Sequence, residues 1–339
     1  MTDSAAPETS EPTSKDYYFD SYQHFGIHEE MLKDTVRTES YQRAIMQNPH
    51  LFKGKIVLDV GCGTSILSMF AARAGAKHVY GVDCSRIIEQ AKLIVSANNL
   101  NGQITLIQGK IEDIELPVEQ VDIIVSEWMG YFLLYESMLD TVLFARDKWL
   151  KPGGLLLPDK AVLYLAAVEE SDYRAEKINF WDNVYGFDLS AIKKIAITEP
   201  TVEFVNPTDV CSTSSKILAL DLLTCDKEDV NFRSEFKLKL TRNDYVHGFV
   251  SYFECAFTQI HKPIGFSTAP FAKCTHWKQT LFFLDSDKEI IGSAGEEITG
   301  TIACQQNSQN KRDLDIDFTI NFVGENYKLK DHQQRYTLK

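Results

Sequence analysis

Over its first half the chain sets continuous apolar runs between helical periods, and over its second half strict apolar/polar alternation takes over. Lys55 to Val60 (KIVLDV) is apolar at almost every position and ends at Gly61-Cys62-Gly63-Thr64-Ser65. That pattern predicts a buried strand, a tight turn and then an apolar-faced helix over Ile66 to Ala74. His78 to Asp83, Ile104 to Gln108 and Val121 to Ser126 repeat the buried-strand signature. A helix over Ser137 to Leu150 and a turn at Lys151-Pro152-Gly153-Gly154 lead to a fifth strand at Leu155 to Leu157. Strands alternating with helices predict an open parallel sheet, which binds ligands at the C-terminal ends of its strands. Beyond Pro158, Phe232 to Leu240 and Leu314 to Phe322 alternate with period two, so a second, antiparallel β-barrel or sandwich is expected. The expected division is a tail over 1–15, an α/β domain over 16–157 and a β domain over 158–339.

Composition narrows this only slightly. A chain of 339 residues with 44% hydrophobic and 24% charged residues is an ordinary globular protein, long enough for two domains. The net charge of -13 disfavours phosphate backbones and anionic membranes and favours basic partners. Seven cysteines without a CxxC pair suit reduced thiols, hence cytoplasm or nucleus, better than a disulfide framework or a zinc site. Met1 to Ser14 is rich in Thr, Ser, Glu and Pro and reads as disordered, with neither signal peptide nor anchor expected. The histidines have no metal-ligand spacing, so no metal is expected.

The chemistry concentrates at the strand ends. Gly61 and Gly63 let backbone approach a ligand closely, and Asp83, at the end of the second strand, can accept ribose hydroxyls. Ile66 stands where a dinucleotide fingerprint needs glycine, which disfavours a nicotinamide oxidoreductase. Asp59-x-Gly61-x-Gly63 instead resembles the first motif of class I S-adenosylmethionine methyltransferases. Ile111 and Glu112, after the third strand, are candidates for the adenine side. After the fourth strand comes SEWMGYFLLYESM (Ser126 to Met138), which carries Glu127 and Glu136 among Trp128, Met129, Tyr131, Phe132, Leu133, Leu134 and Tyr135. Two carboxylates among so many apolar groups imply a cation or a buried partner, and a planar guanidinium suits both at once. A turn at Gly130 would bring them into one pocket. Asp16 to Asp34 predicts one or two short covering helices, and Arg37 just beyond them can grip a carboxylate. The aromatic insertion at Ser171 to Thr198 (Phe180, Trp181, Tyr185, Phe187) is either buried within the chain or a dimerisation arm.

Four segments taken in order, YFDSYQHFGIHEEMLKD, VLDVGCGTS, SEWMGYFLLYESM and THWKQ, are similar to those of the type I protein arginine methyltransferases, a resemblance covering residues 16–339. It implies a Rossmann-like S-adenosylmethionine domain, a β-barrel with a helical dimerisation arm at about 171–205, and a head-to-tail homodimer. It further implies asymmetric dimethylarginine as product, with histone tails and Arg-Gly-rich RNA-binding proteins as substrates. Glu127, Glu136, His276 and Asp34 are then the expected catalytic set. His28, Arg37, Asp59, Gly61, Gly63, Asp83, Ile111, Glu112, Met138 and Thr141 are expected on the cofactor side, and Tyr22, Met31 and Trp277 on the substrate side. Two further readings remain at this stage: a methyltransferase of a small-molecule acceptor, and a noncatalytic scaffold that binds basic Arg-Gly tails.

Overall fold

The computed structural model describes residues 22–339; the expected tail over 1–15 and the start of the segment YFDSYQHFGIHEEMLKD lie outside them. Helix α1 (Phe25–Lys33) is capped by the His24 side chain, and α2 (Thr35–Met46) by Asp34, whose Oδ1 accepts from the Arg37 N–H at 3.0 Å. A four-residue turn, α3 (Pro49–Phe52), leads into β1 (Ile56–Val60), α4 (Ile66–Arg73), β2 (His78–Asp83), α5 (Ile87–Ala97), β3 (Ile104–Gln108) and β4 (Val121–Ser126). Helix α6 (Met138–Trp149) and β5 (Leu150–Leu157) complete a five-stranded, all-parallel sheet in the order β3-β2-β1-β4-β5. The strand order reverses direction of growth between β1 and β4, which places the ligand crevice at their C-terminal ends. Pairing of β4 with β5 jumps from Val121–Leu150 to Ile123–Leu155. Residues 151–154, expected as a free turn, are thus a bulge inside a longer β5, because Leu150 already joins the ladder.

The remainder is antiparallel. The first sheet holds β6 (Lys160–Val168), β7 (Thr201–Glu203), β8 (Ser215–Asp221), β11 (Gly248–Phe257), β12 (Ile264–Ser267) and β13 (Gln279–Phe283). The second runs β17-β16-β15-β9, made of β9 (Phe232–Lys239), β15 (Glu297–Gln306), β16 (Leu314–Val323) and β17 (Lys328–Leu338). A small antiparallel pair, β10 (Asp244–Val246) and β14 (Ile290–Gly292), forms a separate two-stranded sheet. The two large sheets share an aromatic core: Phe249 of β11 stacks on Phe318 of β16 at 5.4 Å, and Phe236, Phe282 and Tyr336 surround Phe318. In β16 the odd–even alternation seen in the sequence is the burial pattern itself, with Leu314, Ile316, Phe318, Ile320 and Phe322 all buried.

Between β6 and β7 lie α7 (Ser171–Lys177) and α8 (Ser190–Ala196). Arg174 roots this insertion: its side chain is buried, donates to the His247 carbonyl and to Ser286 Oγ at 3.2 Å each, and pairs with Glu289. The tip is different. Phe180, Phe187, Ile192 and Ile195 are exposed and Tyr185 is 98% exposed, so burial within the described chain is not how this aromatic surface is covered.

Candidate active site

A cavity of about 750 Å³ opens at the C-terminal ends of β1, β2 and β4 and is shared by α1, α2, the loop after β4 and the β15–β16 connection. On one side the backbone turns through Gly61 (φ +72°) and Gly63 (φ +50°). A Cβ on Gly61 would lie 2.2 Å from Met138 Cε, so glycine is what leaves space between turn and helix α6. Asp83 receives the Gly63 N–H on Oδ2 at 2.9 Å, and the Ser85 N–H and hydroxyl on Oδ1 at 2.8 and 2.7 Å. A carboxylate offers about four acceptor sites. Taking both ribose hydroxyls therefore requires the Ser85 hydroxyl to rotate away. Farther along the wall Thr141 Oγ1 donates to Glu112 at 2.8 Å beside Ile111.

On the other side sit the two glutamates. Glu127 follows β4 directly, and three bonds pin its surroundings: Ser126 Oγ to the Val60 carbonyl at 2.8 Å, Tyr41 OH to the Ser126 carbonyl at 2.8 Å, and Trp277 Nε1 to the Met129 carbonyl at 2.8 Å. Arg37 Nε donates to Glu127 Oε2 at 2.8 Å, with both side chains 8% exposed. Such a buried pair is costly to break by removing one partner. Glu136 reaches the same cavity after a chain reversal in which Gly130 passes against Tyr135; a Cβ there would meet the Tyr135 carbonyl oxygen at 2.1 Å. Phe132, Leu133, Glu136 and Ser137 all have positive φ, between 51° and 75°. Left-handed non-glycine residues cost about 1–3 kcal/mol each and persist where the surroundings over-determine them. Tyr22 OH donates to Glu136 Oε2 at 2.8 Å. Burial, and then the Glu136 charge, push the neighbouring Tyr135 phenol up to about 12.

Behind this pair, Asp34 Oδ2 accepts both the backbone N–H of His276 at 2.9 Å and its Nδ1 at 2.7 Å. Burial works to raise the Asp34 pKa, but the His276 side chain and the two backbone N–H donors outweigh it and hold the carboxyl below its usual range. His276 and Trp277 both line the cavity, their rings 4.0 Å apart.

Of the residues expected from sequence, Tyr22, His28, Met31, Arg37, Gly61, Gly63, Asp83, Ile111, Glu112, Glu127, Glu136, Met138, Thr141, His276 and Trp277 line this one cavity. Two do not. Asp34 stands behind His276 as a helix cap. Asp59 is fully buried under the turn, where Oδ2 accepts from Ser68 Oγ at 2.6 Å and Oδ1 has no partner. Desolvation, against the Ser68 bonds and with help from the Asp83 charge, raises its pKa to about 7. Sequence reasoning missed Gln309, Asn310, Lys311 and Arg312, which reach the cavity from the antiparallel sheet. A polar run between two alternating segments reads as any hairpin connection, and nothing in it announces a site.

Residues 57–154 match the family model described as "Methyltransferase domain", and residues 159–325 the "Arginine methyltransferase oligomerization subdomain". The chain is 63% identical over 310 residues to protein arginine N-methyltransferase 1 of Schizosaccharomyces pombe, covering 91% of each chain. It is 56% identical over 322 residues to the enzyme of the same name in Chlamydomonas reinhardtii, covering 95% of this chain and 93% of that one. Among solved structures, the Trypanosoma brucei PRMT1 enzyme-prozyme heterotetrameric complex with AdoHcy superposes with a TM-score of 0.91 at 45% identity, over 94% of this chain and 100% of that one. Arabidopsis thaliana protein arginine methyltransferase 10 gives 0.84 at 30% identity, over 95% and 100%. A glycine turn and two glutamates in one cavity, on a chain this similar to named relatives along nearly its whole length, place it among the protein arginine N-methyltransferases, which methylate arginine in proteins with S-adenosylmethionine.

Proposed function

We propose that this chain is a type I enzyme, converting arginine to mono- and asymmetric dimethylarginine in basic proteins such as histone tails and Arg-Gly-rich RNA-binding proteins. The observation that carries this reading is that Glu127 and Glu136 line the same cavity as Gly61, Gly63 and Asp83. The residues present fit S-adenosylmethionine. The Gly61–Met138 approach leaves a slot that a Cβ would fill, Asp83 Oδ2 keeps acceptor capacity for a ribose hydroxyl, and Ile111, Glu112 and Thr141 bound the adenine end. When bound, that molecule supplies an electrophilic methyl group on a sulfonium.

The chain's own residues do the rest. Arginine stays protonated at neutral pH, with its charge spread over three nitrogens and no accessible lone pair. Glu127 and Glu136 hold the guanidinium in fixed orientation and draw its charge toward the nitrogens they bond, leaving the remaining nitrogen the better nucleophile. Arg37 fixes Glu127 through Oε2. Tyr22 orients Glu136. Nδ1 of His276 bonds Asp34, which ties α2 to the 275–277 loop; we assign the pair to this holding role, with the proton that the methylated guanidinium sheds passing to solvent. A lysine ammonium, a point charge, cannot use two flanking carboxylates in this way.

The -13 net charge supports recognition of basic tails, and the exposed aromatic tip of the arm supports a homodimer, with higher assembly open to it. Seven free thiols suit the cytoplasm and nucleus. Mass spectrometry of an Arg-Gly peptide incubated with enzyme and S-adenosylmethionine tests the reading. Dimethylarginine that loses dimethylamine on fragmentation, the mark of both methyls on one nitrogen, is expected; loss of monomethylamine, the symmetric signature, would overturn it.

A further inference from the structure

The connection between β15 and β16 belongs to the antiparallel sheet, yet it grips the backbone of the second glutamate. The Glu136 N–H donates to the Arg312 carbonyl at 2.9 Å, and Arg312 Nη1 donates back to the Glu136 carbonyl at 3.2 Å. At the next residue the Ser137 hydroxyl donates to the Lys311 carbonyl and accepts from Gln306 Nε2 at 3.0 Å, which also reaches Asp140 Oδ2 at 3.1 Å. These bonds fall on two consecutive left-handed residues, neither a glycine, and α6 begins there without any side-chain cap. The connection is itself stiff. Asn307 Oδ1 accepts from the N–H groups of Gln309 and Asn310 at 2.9 and 3.1 Å, and Asn310 Nδ2 donates to Asp313 at 2.8 Å.

We infer that Arg312, seconded by Gln306, is a positioning residue for methyl transfer: the hairpin connection holds Glu136 in a backbone conformation it would not keep alone, so that its carboxylate faces the acceptor. The parallel sheet builds the donor side of the cavity, and the antiparallel sheet fixes half of the acceptor side. The inference rests on the glutamate clamp proposed above.

Arg312→Ala, Arg312→Lys and Gln306→Ala in the full chain test it, with S-adenosylmethionine affinity by calorimetry and kcat and KM on an Arg-Gly peptide. Unmaking a charged hydrogen bond predicts a kcat about 10- to 100-fold lower in Arg312→Ala, with cofactor affinity within about twofold of wild type. Arg312→Lys should fall between the two, and Gln306→Ala should lose about three- to tenfold. A general structural defect would instead lower cofactor affinity and melting temperature together. If Arg312 acts through Glu136, adding Arg312→Ala to Glu136→Gln should cost no more than about a further twofold. Wild-type kcat in Arg312→Ala, or a full multiplicative loss in the double variant, overturns the inference. Should Arg312→Ala not fold, wild-type kcat in Gln306→Ala overturns it. Normal turnover by Glu136→Gln alone would strike the clamp itself.

Discussion

Asp34 ties three parts of the site together, and replacing it separates holding from proton transfer. Its side chain is 3% exposed; Oδ1 caps α2 through the Arg37 N–H, and Oδ2 takes the backbone N–H and Nδ1 of His276. An asparagine offers one oxygen. If that oxygen keeps the cap, its NH₂ faces the His276 N–H, which no change of imidazole tautomer can relieve. A stranded buried donor costs about 1–3 kcal/mol. Asp34→Ala removes the cap as well, adding about 1 kcal/mol for a total near 2–4. At about 2–4 °C per kcal/mol for domains of 150–250 residues, Asp34→Asn should melt roughly 2–12 °C below wild type and Asp34→Ala roughly 4–16 °C below. The pH dependence has a definite sign. Because the folded-state pKa of Asp34 is depressed, its contribution is fully present above the usual carboxylate range and is lost as pH falls through the depressed value. The gap between wild type and Asp34→Asn should thus be flat at neutral pH and close only in acid. Loosening α2 moves Arg37 and with it Glu127, so peptide kcat should fall about tenfold while the pH–rate profile keeps its shape. Wild-type melting in Asp34→Asn would refute the packing argument. A profile that loses a limb would show that His276 carries a proton after all.

Two other expectations follow from the same structure. Asp59 has a folded-state pKa raised to about 7, so its stability is complete below the usual carboxylate range and declines as pH rises toward 7. Asp59→Asn, scanned calorimetrically from acid to mildly alkaline pH, should lack that decline; an unchanged slope would remove Asp59 as its source. Replacing Trp181 and Tyr185 together by alanine, at the tip of the arm, should give monomers by sedimentation, whereas persistent dimers would move the interface elsewhere.

What could be read without coordinates was what burial writes into sequence. KIVLDV, HVYGVD and VDIIVS are apolar on both faces, and Asp59 to Gly63 and Asp83 sit where a parallel sheet opens, so strand positions and the place of the cavity were both legible. The alternation from Leu314 to Phe322 gave an antiparallel strand for the same reason. Backbone geometry left weaker traces. Proline and two glycines at 152–154 signal a turn in isolation but here bulge within a continuing strand. Asp59, expected beside the cofactor from its motif, turns inward because strand side chains alternate faces and its neighbour Val60 takes the cavity side. The least legible part was Arg312: its partner Glu136 is far away along the chain, one bond joins two main chains, and the guanidinium bond ends on a carbonyl that every residue carries.

On the proposed mechanism two carboxylates, and not the cofactor crevice alone, make an arginine reactive. The most direct measurement is single-turnover methylation of an Arg-Gly peptide by wild type, Glu127→Gln and Glu136→Gln, followed by mass spectrometry, with S-adenosylmethionine affinity measured on the same preparations. Each amide keeps the shape of its side chain and removes the charge that orients and polarises the guanidinium, so each variant should slow by about 100-fold or more, the scale of losing one preorganised electrostatic contact. Cofactor affinity should stay within about threefold of wild type. Near-normal methylation by either variant, or a loss explained entirely by weaker cofactor binding, would contradict the account.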